Sequence, residues 1–165
     1  MKKLYLIRHA KSSWDNPGST DFERPLNKRG KRDAPFMGKL LKKENVEPDL
    51  IISSPAVRAL TTAEFFAKEI GYSKNKILKD ENIYEAGLRE LEDIVQNIPD
   101  DKTVILLFGH NPGLTHYVNH LGDKYIENMP TCSVAGIEFD VKSWKEIERD
   151  KGKIVMFEYP KKYFI

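Results

Sequence analysis

The sequence predicts a three-layer α/β/α fold, a mostly parallel sheet with helices on both faces. Three observations predict it. Short apolar runs alternate with amphipathic helical stretches along the chain, the order that a parallel sheet with helical crossovers requires. Thr103–Phe108 is an almost unbroken apolar run, as strands buried on both faces are. Twice a capping-type residue precedes a proline shortly after such a run, in Ser54-Pro55 and Asn111-Pro112, which marks a helix start.

Taken in chain order, Lys3–Ile7 reads as the first strand. Asn27 to about Lys43 reads as a helix, with Asn27 as its cap and Ala34, Met37, Leu40 and Leu41 on one face. Asp49–Ser53 is a short strand after Pro48. Ser54 and Pro55 open the next helix, whose stripe is Ala59, Ala63, Phe66 and Ile70 and which Gly71 ends. Leu88, Leu91, Val95 and Ile98 form another helical face, stopped by Pro99. After Thr103–Phe108, the residues Leu114, Tyr117, Val118 and Leu121 continue as a helix. Ala135, Ile137, Phe139 and Val141 alternate with polar residues or glycine, which predicts a half-exposed strand. Ile154–Tyr159 is the last strand, expected to pair antiparallel with its predecessor at one sheet edge. The Pro160–Ile165 tail, basic then apolar, is expected to pack against that edge.

The 165 residues are read as a single domain, 1–165, large enough for one substantial core. With 27 basic and 25 acidic side chains the formal charge is +2, too balanced to point to nucleic acid or a membrane surface. The single cysteine, Cys132, excludes an internal disulfide and a cysteine-rich metal site, and reads as a small buried hydrophobe. No signal peptide or membrane-length apolar segment is recognisable, so a cytoplasmic protein is expected. Lys39, Lys42 and Lys43 read as a solvated helix face. His116 and His120 have the spacing of a helical metal pair but lack a third ligand, and read as helix-surface histidines.

Three positions stand out, each just past the carboxyl end of a predicted strand. Arg8 and His9 follow the first, Arg58 lies in the first turn of the helix after the second, and His110 follows Thr103–Phe108. In open α/β sheets that end of the strands forms the ligand crevice, and the two proline-headed helix starts are expected to aim free N–H groups into it. Such a set suits phosphoryl transfer. Arg8 and Arg58 can hold the equatorial oxygens, His110 adds a donor, and His9 can attack phosphorus and carry the group as phosphohistidine. The cationic cluster stands in for a metal, so neither a metal nor another cofactor is expected.

The stretch Leu6-Ile7-Arg8-His9-Ala10 resembles the motif of the histidine phosphatase superfamily, the phosphoglycerate mutase-like group. Ser53-Ser54-Pro55-Ala56-Val57-Arg58-Ala59-Leu60-Thr61-Thr62-Ala63 resembles its second-arginine segment, and Gly109-His110-Asn111-Pro112 its second-histidine segment. The segment Asp21-Phe22-Glu23-Arg24-Pro25-Leu26-Asn27-Lys28-Arg29-Gly30 resembles the branch of SixA-type phosphohistidine phosphatases. The resemblance implies that His9 is the nucleophile and that Arg8, Arg58 and His110 form the phosphate pocket. Arg24 is implied at the phosphate rim and Asn111 as a cap and ligand contact. Lys11, Ser12 and Trp14, which follow His9 in sequence, read as lining the entrance, with a packed loop aromatic the equal alternative for Trp14. Ala10 departs from the family's usual glycine.

Family members with a dedicated proton donor carry a glutamate in a setting like Ile83-Tyr84-Glu85-Ala86-Gly87. Glu85 is therefore the first choice for that role and Glu81 the second, while SixA-type members often lack such an acid. Between Glu85 and Thr103 there is room for one helix only. Without the helical cap of larger relatives the crevice should be open, which suits phosphohistidine on a protein such as a histidine phosphotransfer domain. The alternatives are a phosphomonoesterase of small phosphorylated metabolites and a non-catalytic phospho-ligand binding module. Oligomeric state is not readable from the sequence.

Overall fold

In the computed structural model, which describes residues 1–164, six strands form one sheet. They are β1 (Lys2–Arg8), β2 (Leu50–Ser53), β3 (Leu78–Lys79), β4 (Val104–Gly109), β5 (Val134–Phe139) and β6 (Gly152–Glu158), in the spatial order β3-β2-β4-β1-β5-β6. The four strands from β3 to β1 are parallel, and β5 runs antiparallel to both β1 and β6. The helices are α1 (Lys28–Lys43), α2 (Val57–Ile70), α3 (Leu88–Gln96) and α4 (Gly113–Leu121).

Alternation along β1 sorts the core into two halves. Leu4 and Leu6 face α3 and α4, joining Leu91, Val95, Leu114 and Val118. Tyr5 and Ile7 face the other way, toward Ala34, Met37 and Leu41 of α1 and Ala63 and Phe66 of α2. The result is the expected three-layer α/β/α arrangement. Gly71 ends α2 in the left-handed region, at φ +78°, a conformation that glycine adopts without strain.

Several local expectations change. β5 is buried on both faces rather than half exposed, because Ala135, Ile137 and Phe139 enter one half of the core and Val134 the other. The in-and-out pattern belongs to β6, the true edge strand, where Lys153 and Val155 are exposed and Ile154 is buried. Val141 falls beyond β5. Both proline-headed helices start later than predicted. Ala56 is still extended, and α2 begins at Val57, while Pro112 caps α4 and Gly113 is its first residue. Asn27 caps α1 as expected, accepting from Gly30 N–H. The two-residue β3 was missed, being too short for any periodic signal.

The C-terminal tail meets the sheet edge as expected, Lys162 Nζ donating to Phe157 O at 2.8 Å and Tyr163 OH to Glu158 Oε2 at 2.6 Å on β6, and it packs on α1 as well. Phe164 meets Phe36 edge-on at 4.7 Å, and the Arg32 guanidinium lies over the Phe164 ring at 4.1 Å. Ile165 lies outside the described residues. Among those residues no helix is long and apolar enough to cross a membrane.

Candidate active site

Strand register brings the predicted residues together. Arg8 pairs with Gly109 across β1 and β4, and Ser53 of β2 pairs with Phe108, so three strand ends lie side by side. The chain leaving them carries His9, Ser54 and His110. The nucleophile candidate is tied into the sheet: Arg8 N–H donates to Ser133 O and His9 N–H to Gly109 O, both at 3.1 Å. A second tie runs to α2. Ala10 N–H donates to Thr62 Oγ1 at 3.0 Å, and the Thr62 hydroxyl donates to Arg58 O at 2.7 Å. Thr62 thus couples the loop carrying His9 to the helix carrying Arg58. Glycine at position 30 allows α1 to press on the same loop, since a Cβ there would lie 2.2 Å from Lys11 O.

A cavity of about 250 Å³ is lined by Arg8, His9, Arg24, Arg58, His110 and Asn111, with Lys11, Ser12, Trp14 and Thr131 completing its wall. The imidazoles of His9 and His110 face each other with centroids 5.3 Å apart. Both rings are held neutral. Burial, with smaller contributions from His110, Arg58 and Arg8, drives His9 down to about 3, against an opposing hydrogen bond to Ala10 O. Burial and the Arg58 charge push His110 down to about 4. His9 Nδ1 lies 2.7 Å from Ala10 O. A carbonyl only accepts, so Nδ1 carries the proton and Nε2 keeps its lone pair. That is the protonation state a nucleophilic imidazole requires.

Three polar atoms of these side chains are buried without a protein partner among the described residues: Arg8 Nε, Arg58 Nε and His110 Nδ1. Native structures rarely bury unpaired polar atoms without a functional reason. The remaining hydrogen bonds orient the groups. Arg8 Nη1 donates to Met129 O at 2.9 Å, and His110 Nε2 is 2.8 Å from Ser54 Oγ. Asn111 Nδ2 donates to Met129 O at 2.9 Å, and its Oδ1 accepts from Thr115 N–H at 3.2 Å. The expectation of free N–H groups fails at the first position of α2, where Val57 N–H donates to Phe22 O.

Sequence reasoning missed Asp21. Its Oδ2 accepts from Tyr84 OH at 2.6 Å and Arg58 Nη2 at 3.1 Å, and its Oδ1 accepts from Arg24 Nη1 at 3.0 Å. The Tyr84 hydrogen bond first, with Arg24 and Arg58 adding to it, holds this carboxyl down to about 2. An ionised carboxylate therefore occupies two of the arginines that a phosphate would engage. Arg24 also donates to Ser12 Oγ and stacks on the exposed Trp14, its Cζ 3.2 Å from the ring centroid. Tyr84 stands edge-on to His110 at 5.6 Å and to Phe22 at 5.2 Å. The signal for Asp21 was present in the Asp21–Gly30 segment, but no local pattern shows that its carboxylate reaches Arg58.

Glu85 is exposed, with a left-handed backbone at φ +61°, and neither it nor Glu81 lines the cavity. Among the described residues the lining itself holds no carboxylate, and Asp21 reaches two of its arginines from beside it. Between Tyr84 and β4 the chain forms only α3 and its flanking turns, so the pocket opens directly to solvent. His116 is exposed on α4, and His120 lies 3.5 Å from Glu92. Among the described residues no three His, Cys, Asp or Glu side chains gather as a metal centre would.

A family model described as the histidine phosphatase superfamily (branch 1) matches residues 4–102. An uncharacterised chloroplast protein of Arabidopsis thaliana is 29% identical over 154 residues, 88% of this chain and 70% of that protein. Phosphoserine phosphatase 1 of Hydrogenobacter thermophilus is 33% identical over 110 residues, 61% of this chain and 49% of that one. Among solved structures, one assigned as the phosphohistidine phosphatase SixA of Agrobacterium tumefaciens superposes with a TM-score of 0.80 at 24% identity, covering 96% of this chain and 98% of that one. The protein histidine phosphatase SixA complexed with tungstate gives a TM-score of 0.83 at 18% identity, covering 97% and 98%.

Proposed function

The chain belongs to the histidine phosphatase superfamily, and from that premise we propose a metal-independent hydrolase that removes phosphate from phosphohistidine on a protein. One observation carries the reading: a buried, neutral His9 whose Nδ1 proton is held by Ala10 O, in a pocket lined by Arg8, Arg58 and His110. In the first step His9 Nε2 bonds to phosphorus in line as the P–N bond to the substrate imidazole breaks. Arg8, Arg58 and His110 stabilise the equatorial oxygens. In the second step water attacks phosphorus, phosphate leaves, and His9 is regenerated.

Among the described residues the carboxylate that reaches the pocket's arginines is Asp21, which Tyr84, Arg24 and Arg58 hold ionised and so without a proton to give; this supports a phosphoramidate over an ester. An alkoxide must be protonated to leave, whereas an imidazole, with a conjugate-acid pKa of about 6.5, takes its proton from solvent near neutrality. Glu85, the first choice from sequence, stays a proposed proton donor for stable esters only. Its Gln variant should slow an aryl phosphate several-fold and phosphohistidine by less than about twofold; equal losses on both would exclude that division of labour.

The deciding experiment compares four substrates: a phosphohistidine phosphotransfer domain, an aryl phosphate, phosphoserine and a sugar phosphate. The highest kcat/KM is expected for the phosphotransfer domain. Equal or better turnover of phosphoserine or the sugar phosphate would favour the second reading, a small-molecule phosphomonoesterase. The partial similarity to a phosphoserine phosphatase supports that alternative. No turnover and no covalent phosphate on His9 with any of them would leave a binding module.

A further inference from the structure

Beside the phosphate pocket lies a second cleft of about 430 Å³, walled by Arg29 and Arg32 of α1, Lys11, and Lys161 of the C-terminal turn. Arg8, Lys11 and Thr131 line both cavities, so the two are neighbours. The guanidiniums are already oriented. Arg29 Nη2 donates to Thr131 Oγ1 at 3.2 Å, while Arg32 donates to Asp33 Oδ1 through Nε at 3.0 Å and Nη2 at 2.8 Å and rests on Phe164. Asp33 is almost fully buried and is the only carboxylate in this lining. The cations therefore outnumber it several to one.

The overall charge of +2 does not produce this. A cleft of similar size, about 420 Å³ at the β2–β3 edge, is lined by Asp80, Glu90 and Asp93 and by no lysine or arginine. Cationic side chains gather instead in the cleft that shares Arg8 and Lys11 with the pocket of His9.

We propose that the Arg29–Arg32–Lys161 cleft is a substrate-recognition subsite for an acidic segment flanking the phosphorylated residue of a protein. The proposal rests on the protein-phosphohistidine reading above and specifies which phosphoproteins the site selects. Carboxylates carried beside the phosphoryl group meet preoriented guanidiniums, which match carboxylate geometry. The phosphoryl group itself supplies the chemistry, so the subsite acts on KM and leaves kcat alone.

The test compares phosphohistidine peptides with glutamate flanks and with serine flanks, alongside an aryl phosphate. The wild-type protein should show a KM about five- to tenfold lower for the acidic peptide, an advantage that shrinks with added salt. Lys161→Glu, at an exposed position, should erase most of that advantage without changing kcat or aryl phosphate turnover. Arg32→Gln, with folding checked by thermal melting because Asp33 loses a partner, should act in the same direction. Equal KM values for the two peptides, or an advantage that survives both variants, would overturn the subsite. Turnover of the aryl phosphate with neither peptide cleaved would instead overturn the phosphohistidine reading. In that outcome the same flanks on a phosphotyrosine peptide decide the subsite alone.

Discussion

Arg8, His9 and His110 sit at the ends of strands hydrogen-bonded on both sides, whereas Asp21 and Arg24 belong to a solvent-facing loop between β1 and α1. The first wall of the pocket is fixed by strand register, with Arg8 opposite Gly109. The second is fixed by side chains reaching across: Asp21 to Arg58 and Tyr84, Arg24 to Ser12 and Trp14. Interior hydrogen-bonded strands open only with the whole fold, while exposed loops open locally. The pocket thus combines a rigid half, where attack geometry must be exact to fractions of an ångström, with a half that can yield to a bulky substrate.

Breaking the rigid wall should have the largest effect. His9→Ala should lower kcat by about 10⁴-fold or more and abolish covalent phosphate in a neutral-quench mass measurement, with its melting transition intact. Retained phosphorylation would place the nucleophile elsewhere. Next comes Arg58→Ala, expected to cost about 10²- to 10³-fold in kcat/KM. Arg58→Lys should recover little of this, because an ammonium lacks the planar fork that engages Asp21 and phosphate together.

The two histidines offer a quieter probe of the same wall. Because burial holds His9 near 3 and His110 near 4, their ring resonances should not titrate between pH 5 and 8. An inflection near 6.5 would contradict the burial. The sign for stability follows from linkage. In the unfolded chain both histidines take up protons near pH 6.5, which the folded chain refuses until about 4 and 3. Stability should therefore be fullest above about pH 6.5 and fall as the pH drops from there toward 4. Denaturant melts at pH 7 and pH 5 measure it.

The loop wall should respond least. Asp21→Asn removes a carboxylate that competes with phosphate for Arg58 and Arg24, so inorganic phosphate should inhibit about threefold to tenfold more tightly. The fall in kcat should stay below about tenfold. A loss as large as that of Arg58→Ala would show instead that Asp21 belongs to the rigid half.

This contrast also explains what the sequence made legible. The sheet-mounted half could be read because an apolar run that stops at Arg8 or Gly109 announces both a strand and the crevice at its end. The antiparallel β5–β6 edge was legible for the same reason, from two apolar runs close in sequence. Burial of β5 was not, since Ala135-Gly136-Ile137 reads as alternation until the core on both faces of the sheet is known. Nor was the Asp21–Arg58 contact, which closes a separation of 37 residues. Only packing of the loop against α2 sets that distance. Ser54 was read as a helix cap, but Ala56 takes that position and α2 begins at Val57, so the Ser54 hydroxyl accepts from Ala56 N–H and reaches His110 instead.

Cys132 lies directly behind His9, the proposed nucleophile. Its backbone N–H donates to both Arg8 O at 3.1 Å and His9 O at 3.0 Å, its φ is +62°, and its side chain is fully buried. Burial, with a smaller push from Asp33, raises the thiol well above its ordinary pKa. Peroxides and alkylating agents attack thiolates that solvent can reach, and this chain has no other sulfhydryl. Phosphatases built on a cysteine nucleophile are silenced by oxidants. With the proposed nucleophile an imidazole and its one thiol sealed in the core, this pocket is expected to keep its chemistry through the same exposure.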